Sequence, residues 1–274
     1  MTRSVRLAPA ALLGLSILCG QAGAAAQTLD ATRPSATQTS APPRVSTEAR
    51  MWLQMETLSN GAADWHDASF EINSDAKGPG RWFAAFHDVG RFSLNDELFG
   101  GGYIHPVGRK TSLTIEALGS FSHNVVPQFG VGARIDAQAG RGWVLNSGVS
   151  GRRYDTGDVT IVTAGLEKYV SRFRLAYTAF GAFLGGEGSV SHAVAFDTTY
   201  GSGEDNLFGV TVSTGDELEQ DVRAELRVTE VRAISARGRH WIGRRIGLLY
   251  TIGVHEQGTD YTRRGGTAGI AFRF

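Results

Sequence analysis

The chain predicts an all-β fold, a transmembrane antiparallel up-and-down β-barrel of about fourteen strands. Three observations support this prediction: a secretory leader, period-two hydrophobicity in segments of about ten residues, and a last strand that ends on phenylalanine. A tilted strand of about ten residues crosses a bilayer, whereas a helix needs about 20 apolar residues to do so. A further alternative is a soluble periplasmic β-sandwich, in which the apolar faces would form a core.

The N-terminus has the three parts of a signal peptide, which we place at residues 1–26. Arg3 and Arg6 precede the apolar run Leu7–Leu18, and small residues follow up to Ala26, where we expect cleavage. Cys19 lies in this leader and is the only cysteine, so the mature chain would contain no disulfide. Residues 27–47 are rich in Ala, Thr, Ser, Pro and Gln, which predicts a disordered periplasmic linker before a barrel at 48–274.

The composition suits a barrel better than other classes of membrane or binding protein. The formal net charge is zero, so nothing in it favours nucleic acid as a partner. Only 42% of residues are hydrophobic, which is expected of a barrel because alternate residues face lipid. Glycine accounts for 36 of the 274 residues, well above its usual share of about 7%.

Period-two segments recur from residue 48 onward. In the clearest of them, Phe129, Val131 and Ile135 alternate with Gly130 and Arg134. The same pattern predicts strands at 49–58, 65–75, 81–91, 96–105, 111–121, 128–138, 142–153, 158–169, 172–184, 188–199, 206–215, 227–237, 244–255 and 264–274. The segments at 81–105 and 227–237 alternate poorly, and merging strands there would give twelve.

An even number of strands places both termini at the periplasmic side. The longest outer loop would then be 216–226, whose composition is helix-like. At the C-terminus, Ile270, Phe272 and Phe274 share one face and resemble the signal by which the barrel-assembly machinery recognises its substrates. We therefore expect an integral protein of the bacterial outer membrane, in contact with its lipid and lipopolysaccharide.

The central block resembles the YaiO family of outer-membrane barrels over roughly residues 50–274. The resemblance is carried by short pieces in a matching order: Arg91-Phe92 with Asp96, Gly102-Tyr103-Ile104, Pro127, 147–154, 159–169 and 186–189. It implies a barrel in the outer membrane. It brings no catalytic residue or ligand with it.

The residues of inward parity include many charges, which we expect to line the lumen. They are Glu56, Asp67, Glu71, Glu116, Arg134, Asp136, Arg172, Arg174, Arg245 and Arg273. Charges in a narrow lumen need partners or water, so they would either stiffen a plugged barrel or line an open one. At twelve to fourteen strands both are possible.

Catalytic candidates are weak. An acyl hydrolase would need a serine and a histidine near the outer leaflet, and Ser122, His123 and His255 are the residues available. Asp64, His66 and Asp67 form only a fragment of an acidic protease site. The sequence has no metal motif, and we expect no cofactor. The favoured hypothesis is a non-enzymatic barrel, either a small pore or a component linked to surface polysaccharide, and the alternative is a lipid-modifying enzyme.

Overall fold

A computed structural model describes residues 47–75, 80–201, 206–220 and 226–274. These residues form fourteen strands, and no helix among them is long and apolar enough to cross a membrane. The strands are β1 (Thr47–Leu58), β2 (Trp65–Asp75), β3 (Arg81–Arg91), β4 (Leu94–Pro106), β5 (Thr111–Ser120), β6 (Phe129–Gly140), β7 (Trp143–Tyr154), β8 (Gly157–Val170), β9 (Phe173–Leu184), β10 (Glu187–Tyr200), β11 (Asn206–Gln220), β12 (Leu226–Ile242), β13 (Ile246–Gln257) and β14 (Tyr261–Arg273).

The sheet is a closed barrel in which every strand pairs antiparallel with its sequence neighbours. The first and last strands close it, with Met51 opposite Ile270 and Ala49 opposite Phe272. Phe274 N donates to Thr47 O at 2.9 Å, so both ends of the barrel chain meet at one rim. We call this rim the terminal end and the opposite rim the distal end. The prediction of a closed fourteen-strand barrel is confirmed, and the twelve-strand alternative is wrong.

The outer face of the wall is apolar across its middle. Val131 is 61% exposed and Ile252 is 65% exposed, as expected of side chains that would face lipid. Aromatic side chains gather on the outer face near the terminal end, among them Trp82, Tyr103 and Trp143. Such rings prefer a membrane–water interface, so the outer surface has the distribution of a membrane barrel.

Two features of the strands differ from the sequence prediction. Residues 216–220 are not a loop, because β11 continues to Gln220 and pairs with β12, for example Asp216 with Glu230. The connection between β3 and β4 is only Phe92 and Ser93, both with positive φ (51° and 66°). That geometry usually calls for glycine or asparagine, so Phe92 and Ser93 are not a recognisable turn signal.

The predicted signal peptide and most of the predicted linker lie outside the described residues. Thr47, the last residue of the predicted linker, is the first residue of β1. The turn residues 76–79 and the centre of the β11–β12 connection, 221–225, also lie outside the described residues.

Candidate functional site: the barrel interior

Buried side chains alternate with exposed apolar ones along each strand, and this alternation identifies the inner face. On β1, Arg50 is buried whereas Met51 and Leu53 are about half exposed. On β9, Arg174 is buried beside exposed Phe173 and Leu175. In a single-layer barrel, the side opposite the exposed apolar row is the interior. The interior therefore contains the charges, and it is the candidate functional site.

A belt of buried ion pairs crosses the interior close to the terminal end. We call it the terminal-end belt; its described members are Glu48, Arg50, Glu71, Glu167, Arg174, Asp197, Arg237 and Arg273. Asp197, only 1% exposed, accepts from Arg174 Nη1 at 2.5 Å and from Arg237 Nη2 at 2.6 Å. Arg174 also donates to Glu167 at 2.9 Å. Buried charges are tolerated here because each carboxylate is hydrogen-bonded to arginine.

A second part of the same belt lies on β1 and β2. Arg50 is within 2.6 Å of Glu48 and 3.2 Å of Glu71, and Arg273 Nε donates to Glu48 at 3.1 Å. Arg273 is the last residue of β14, so this group also ties the two closing strands together. The terminal end is thus held by charge-assisted hydrogen bonds between side chains of several strands.

On β8, β13 and β14 the middle of the inner face carries small side chains. Thr163, Thr251 and Thr267 face inward and are partly exposed, and glycines stand beside them. Larger inward side chains at a similar depth include Trp52 of β1 and Arg134 of β6, the latter in register with Thr163 through β7. An eight-stranded barrel is just wide enough to be filled by side chains, and a fourteen-strand barrel is wider. The side of the lumen formed by β8, β13 and β14 therefore carries little side-chain bulk.

The β5–β6 loop, residues 121–128, folds into the distal end. Val125 and Val126 are almost fully buried and pack on Ala85, Val89 and Leu98 of the inner wall. The carboxylate of Asp96 accepts from Val125 N at 2.5 Å, Val126 N at 3.2 Å and Asn124 Nδ2 at 2.9 Å. One buried aspartate therefore holds the loop inside the mouth.

The ends of β11 and β12 beyond Gly215 also turn inward. We call the described residues Asp216–Gln220 and Leu226–Glu230 the hairpin extension. Leu218 is 1% exposed and packs with Tyr154, Val159 and Ala182. These residues belong to β7, β8 and β9, none of which neighbours β11 in the sheet. The hairpin extension consequently reaches over the lumen to the inner wall of those strands.

A third cluster occupies the distal end of β1, β2 and β14. Leu58, Trp65 and Tyr261 pack together, and the Trp65 ring lies between two guanidinium groups. The guanidinium carbons (Cζ) of Arg91 and Arg263 lie 4.6 and 4.5 Å from the centroid of the Trp65 ring, which is a cation–π arrangement. Arg263 also donates to Glu56 at 3.0 Å. The distal mouth is thus closed mainly by apolar and aromatic contacts.

The structure brings together most, but not all, of the charges predicted to line the lumen. Glu71, Asp136 and Arg174 are buried inside, Arg134 donates to Asp136 at 2.5 Å, and Glu56, Asp67 and Glu116 are partly buried. Arg172 and Arg245 are exposed and lie in the turns at the terminal end, outside the wall strands. The alternation of the sequence predicted that both side chains point into the lumen. The strands, however, begin one residue after each arginine, at Phe173 and Ile246.

The three weak catalytic candidates do not form a serine–histidine pair. Ser122 Oγ accepts from Glu97 N at 3.4 Å, whereas His123 Nε2 is 3.3 Å from Asp155. His255 is buried inside the barrel, and its Nε2 is 2.6 Å from Gln257 Oε1. General-base activation needs a hydrogen bond between the hydroxyl and the imidazole. The described contacts provide none among these residues.

The structure reveals a Ser–His–Asp cluster that the sequence reasoning missed. Ser69 Oγ lies 2.7 Å from His87 Nδ1 and donates to Asp67, whose two oxygens are each 3.3 Å from the same Nδ1. A catalytic triad has the acid and the nucleophile on opposite ring nitrogens. Here both contact Nδ1, so the cluster has the wrong geometry for nucleophilic catalysis. Only the shared inward parity of Asp67, Ser69 and His87 could have suggested it.

No group of His, Cys, Asp or Glu within the described part of the chain is arranged to hold a metal ion. The described interior offers hydrogen-bonding groups and charge.

Solved structures with a similar fold are outer-membrane barrels. A bacterial polysaccharide outer-membrane secretin aligns with TM-score 0.52 and 11% identity over 83% of this chain and 98% of its own. OmpF of Salmonella typhi, complexed with daunomycin, gives 0.49 and 8% over 83% and 97%. The KdgM porin, complexed with disordered oligogalacturonate, gives 0.45 and 10% over 82% and 99%. These identities show the fold alone.

Sequence comparison identifies the family. No curated protein matches the chain. A family model described as the YaiO membrane β-barrel domain matches residues 47–220, more than half of the sequence. The match covers β1–β11, which include both the β5–β6 loop and Asp96. The chain therefore belongs to the YaiO family of membrane β-barrels.

Proposed function

We propose that this barrel is a small-solute pore of the bacterial outer membrane, with its distal mouth closed in the state described. One observation carries the proposal: on β8, β13 and β14 the middle of the inner face has side chains too small to reach across the lumen, between two occluded ends. A barrel needed only as a rigid anchor would be more stable with a packed interior. Threonine and glycine instead leave space that water would fill on that side of the lumen.

The closure has the features of a gate. The β5–β6 loop and the hairpin extension reach into the mouth from opposite parts of the sheet, and each is held by a small apolar cluster and a few hydrogen bonds. The loop depends on Asp96, and the hairpin extension on a turn at Gly215. Each can be withdrawn without breaking the wall, because the ladder hydrogen bonds of β3–β5 and β7–β9 do not involve either element.

The proposal includes the delivery of the protein. Export by the signal peptide 1–26 and insertion through Ile270, Phe272 and Phe274 would place the terminal end in the periplasm and the distal mouth outside. The barrel-assembly machinery, lipid and lipopolysaccharide are the partners this route requires. The proposal keeps a link to surface polysaccharide in one respect: such a polysaccharide would be a source of the permeating solute.

Planar-bilayer recording of the purified, folded barrel tests the pore. We expect brief or small openings from the wild type, and larger, longer openings from Asp96→Ala, because the loop loses its carboxylate. Glu97→Gln is the matched control, since Glu97 faces outward and only its backbone N–H contacts Ser122. An absence of conductance steps in both wild type and Asp96→Ala would contradict the pore.

A further inference from the structure

Arg152, on the inner face of β7, is a buried cation without a bonded partner. It is 5% exposed, and its Nε and Nη1 atoms are both buried without a hydrogen bond. No described carboxylate forms an ion pair with it. Arg50 and Arg174, which are as deeply buried in the terminal-end belt, each contact two carboxylates. Arg152 is therefore unlike the arginines of the belt.

Its position is between the two elements that close the mouth. On one side its register partner is Gly130 of β6, which lies next to Leu118, and Leu118 packs against the cluster of the β5–β6 loop. On the other side its register partner is Val159 of β8, which packs with Leu218 of the hairpin extension. Withdrawal of either element would uncover the inner wall beside Arg152.

Gly130 leaves the space that the arginine side chain occupies. A Cβ at Gly130 would lie 3.2 Å from Arg152 Cγ and 3.1 Å from Leu118. The wall is therefore shaped around a long cationic side chain. A guanidinium buried without a hydrogen-bonded partner costs several kcal/mol, so a built recess for one calls for a partner that binds it.

The planar fork of a guanidinium matches the two oxygens of a carboxylate or a phosphate. We propose that Arg152 is an anion-binding residue of the pore, and that it binds the single anionic group of a small permeating solute when the mouth opens. The inference rests on the pore function proposed above. It adds the charge class of the solute to that function.

The charges that follow along the same wall limit the solute to one anionic group. Glu116 of β5 is the next acid; its carboxylate interacts electrostatically with Arg152 and Arg134 but forms no hydrogen bond or ion pair with a described residue. Arg134 beyond it is occupied by Asp136 at 2.5 Å. A polyanion bound at Arg152 would bring its second negative group towards Glu116, which would repel it. A monoanion meets no such conflict.

The test compares Arg152→Gln with Arg153→Gln in the Asp96→Ala background. Arg153 is the next residue, faces outward and pairs with exposed Asp158 at 3.3 Å. The two variants therefore make the same chemical change on opposite faces of β7. Reversal potentials in a KCl gradient give the anion-to-cation permeability ratio. We expect Arg152→Gln to lower that ratio roughly tenfold, the equivalent of one charged hydrogen-bonded contact, and Arg153→Gln to leave it unchanged. An unchanged ratio in Arg152→Gln would overturn the proposal.

A second readout does not need a pore. In the Asp96→Ala background, the melting temperature of the folded barrel in detergent should rise with acetate or phosphate, relative to chloride at equal ionic strength, when Arg152 is present and in Arg153→Gln but not in Arg152→Gln. A rise with phosphate alone assigns a phosphate group, and a rise with both assigns the general oxyanion. No rise with either anion in the Asp96→Ala barrel overturns the proposal.

The two proposals can fail separately. If no variant conducts, the pore function fails and the anion-dependent melting temperature alone decides the role of Arg152. If Arg152→Gln does not fold, Arg152→Lys replaces it, because lysine keeps the charge and loses the fork. In the Asp96→Ala background its anion response should then fall below that of the barrel that carries Arg152, and an equal response would contradict the assignment.

Discussion

The two ends of the lumen are closed by different chemistry. At the terminal end, buried arginines and carboxylates from several strands bond to each other at 2.5–3.2 Å, and the closing strands are included. At the distal end, a loop and a hairpin extension cover the mouth through small apolar clusters and a few hydrogen bonds, among them those to Asp96. The belt belongs to the wall strands themselves. The mouth is covered by segments that extend beyond them.

This difference indicates where the barrel is rigid and where it can open. Removing one partner of a buried ion pair leaves a charge without compensation, so the belt resists local change. Small apolar contacts with a loop can be exchanged for water at far lower cost, and such segments open on their own. We therefore expect the terminal end to be fixed and the distal end to move.

The largest effect is expected at the centre of the belt. Asp197→Ala removes the carboxylate shared by Arg174 and Arg237 and should lower the free energy of unfolding by about 3–5 kcal/mol. Urea unfolding of the barrel refolded in liposomes measures it. Asp158→Ala is the control, since Asp158 is 68% exposed and pairs only at the surface; it should change stability by less than about 0.5 kcal/mol. Equal effects of the two would show that the belt does not stabilise the barrel.

The second largest loss of stability is expected from a substitution at Gly215, where the hairpin extension turns inward. Gly215 has φ of +134°, and a Cβ there would lie 2.4 Å from Val190 O, so alanine is both strained and obstructed. Gly215→Ala should destabilise by about 1–3 kcal/mol and release Leu218 from the mouth. Gly151→Ala is the matched control, because a Cβ there meets nothing within 4 Å.

Hydrogen exchange around Leu218 and the conductance of the same samples would check this prediction. Faster exchange in Gly215→Ala, with larger openings, would support the hairpin extension as a gate. Exchange equal to that of Gly151→Ala would show that the glycine is not needed for the inward turn.

The smallest effect on global stability is expected from Asp96→Ala. The loop would lose three hydrogen bonds to one carboxylate, a local cost of about 1.5–3 kcal/mol that the wall does not share. Amide exchange at Val125 and Val126 should rise by at least tenfold while the urea midpoint stays within error of the wild type. A midpoint that falls as far as in Asp197→Ala would mean that the loop is part of the wall's stability.

The sequence was sufficient to predict the strands of the barrel wall. Alternation at β6 and the terminal strand reflects one face in lipid and one in the lumen, which is a local property of each strand. The weak alternation at 81–105 also had a physical cause. Val89 and Leu98 are apolar on the inner face because the β5–β6 loop covers them.

The closure could not be predicted from the strand pattern. The inward fold of 121–128 depends on Asp96, which is about 30 residues away from Val126 and on another strand. The helix-like composition of 216–226 favours a loop there, yet the ladder between β11 and β12 continues to Gln220. Contacts of this kind depend on tertiary packing. Likewise, the lack of a hydrogen-bonded partner for Arg152 can be recognised only from the packing of β6 and β8 beside it.

The most direct test of a lumen closed at the distal mouth is the accessibility of its middle. Thr267→Cys, with Cys19→Ser, places a single thiol on the partly exposed inner wall of β14. A membrane-impermeant maleimide, added to liposomes with the distal end outward, should label it slowly in the wild-type background and at least tenfold faster with Asp96→Ala. Equal labelling rates in the two backgrounds would contradict the account.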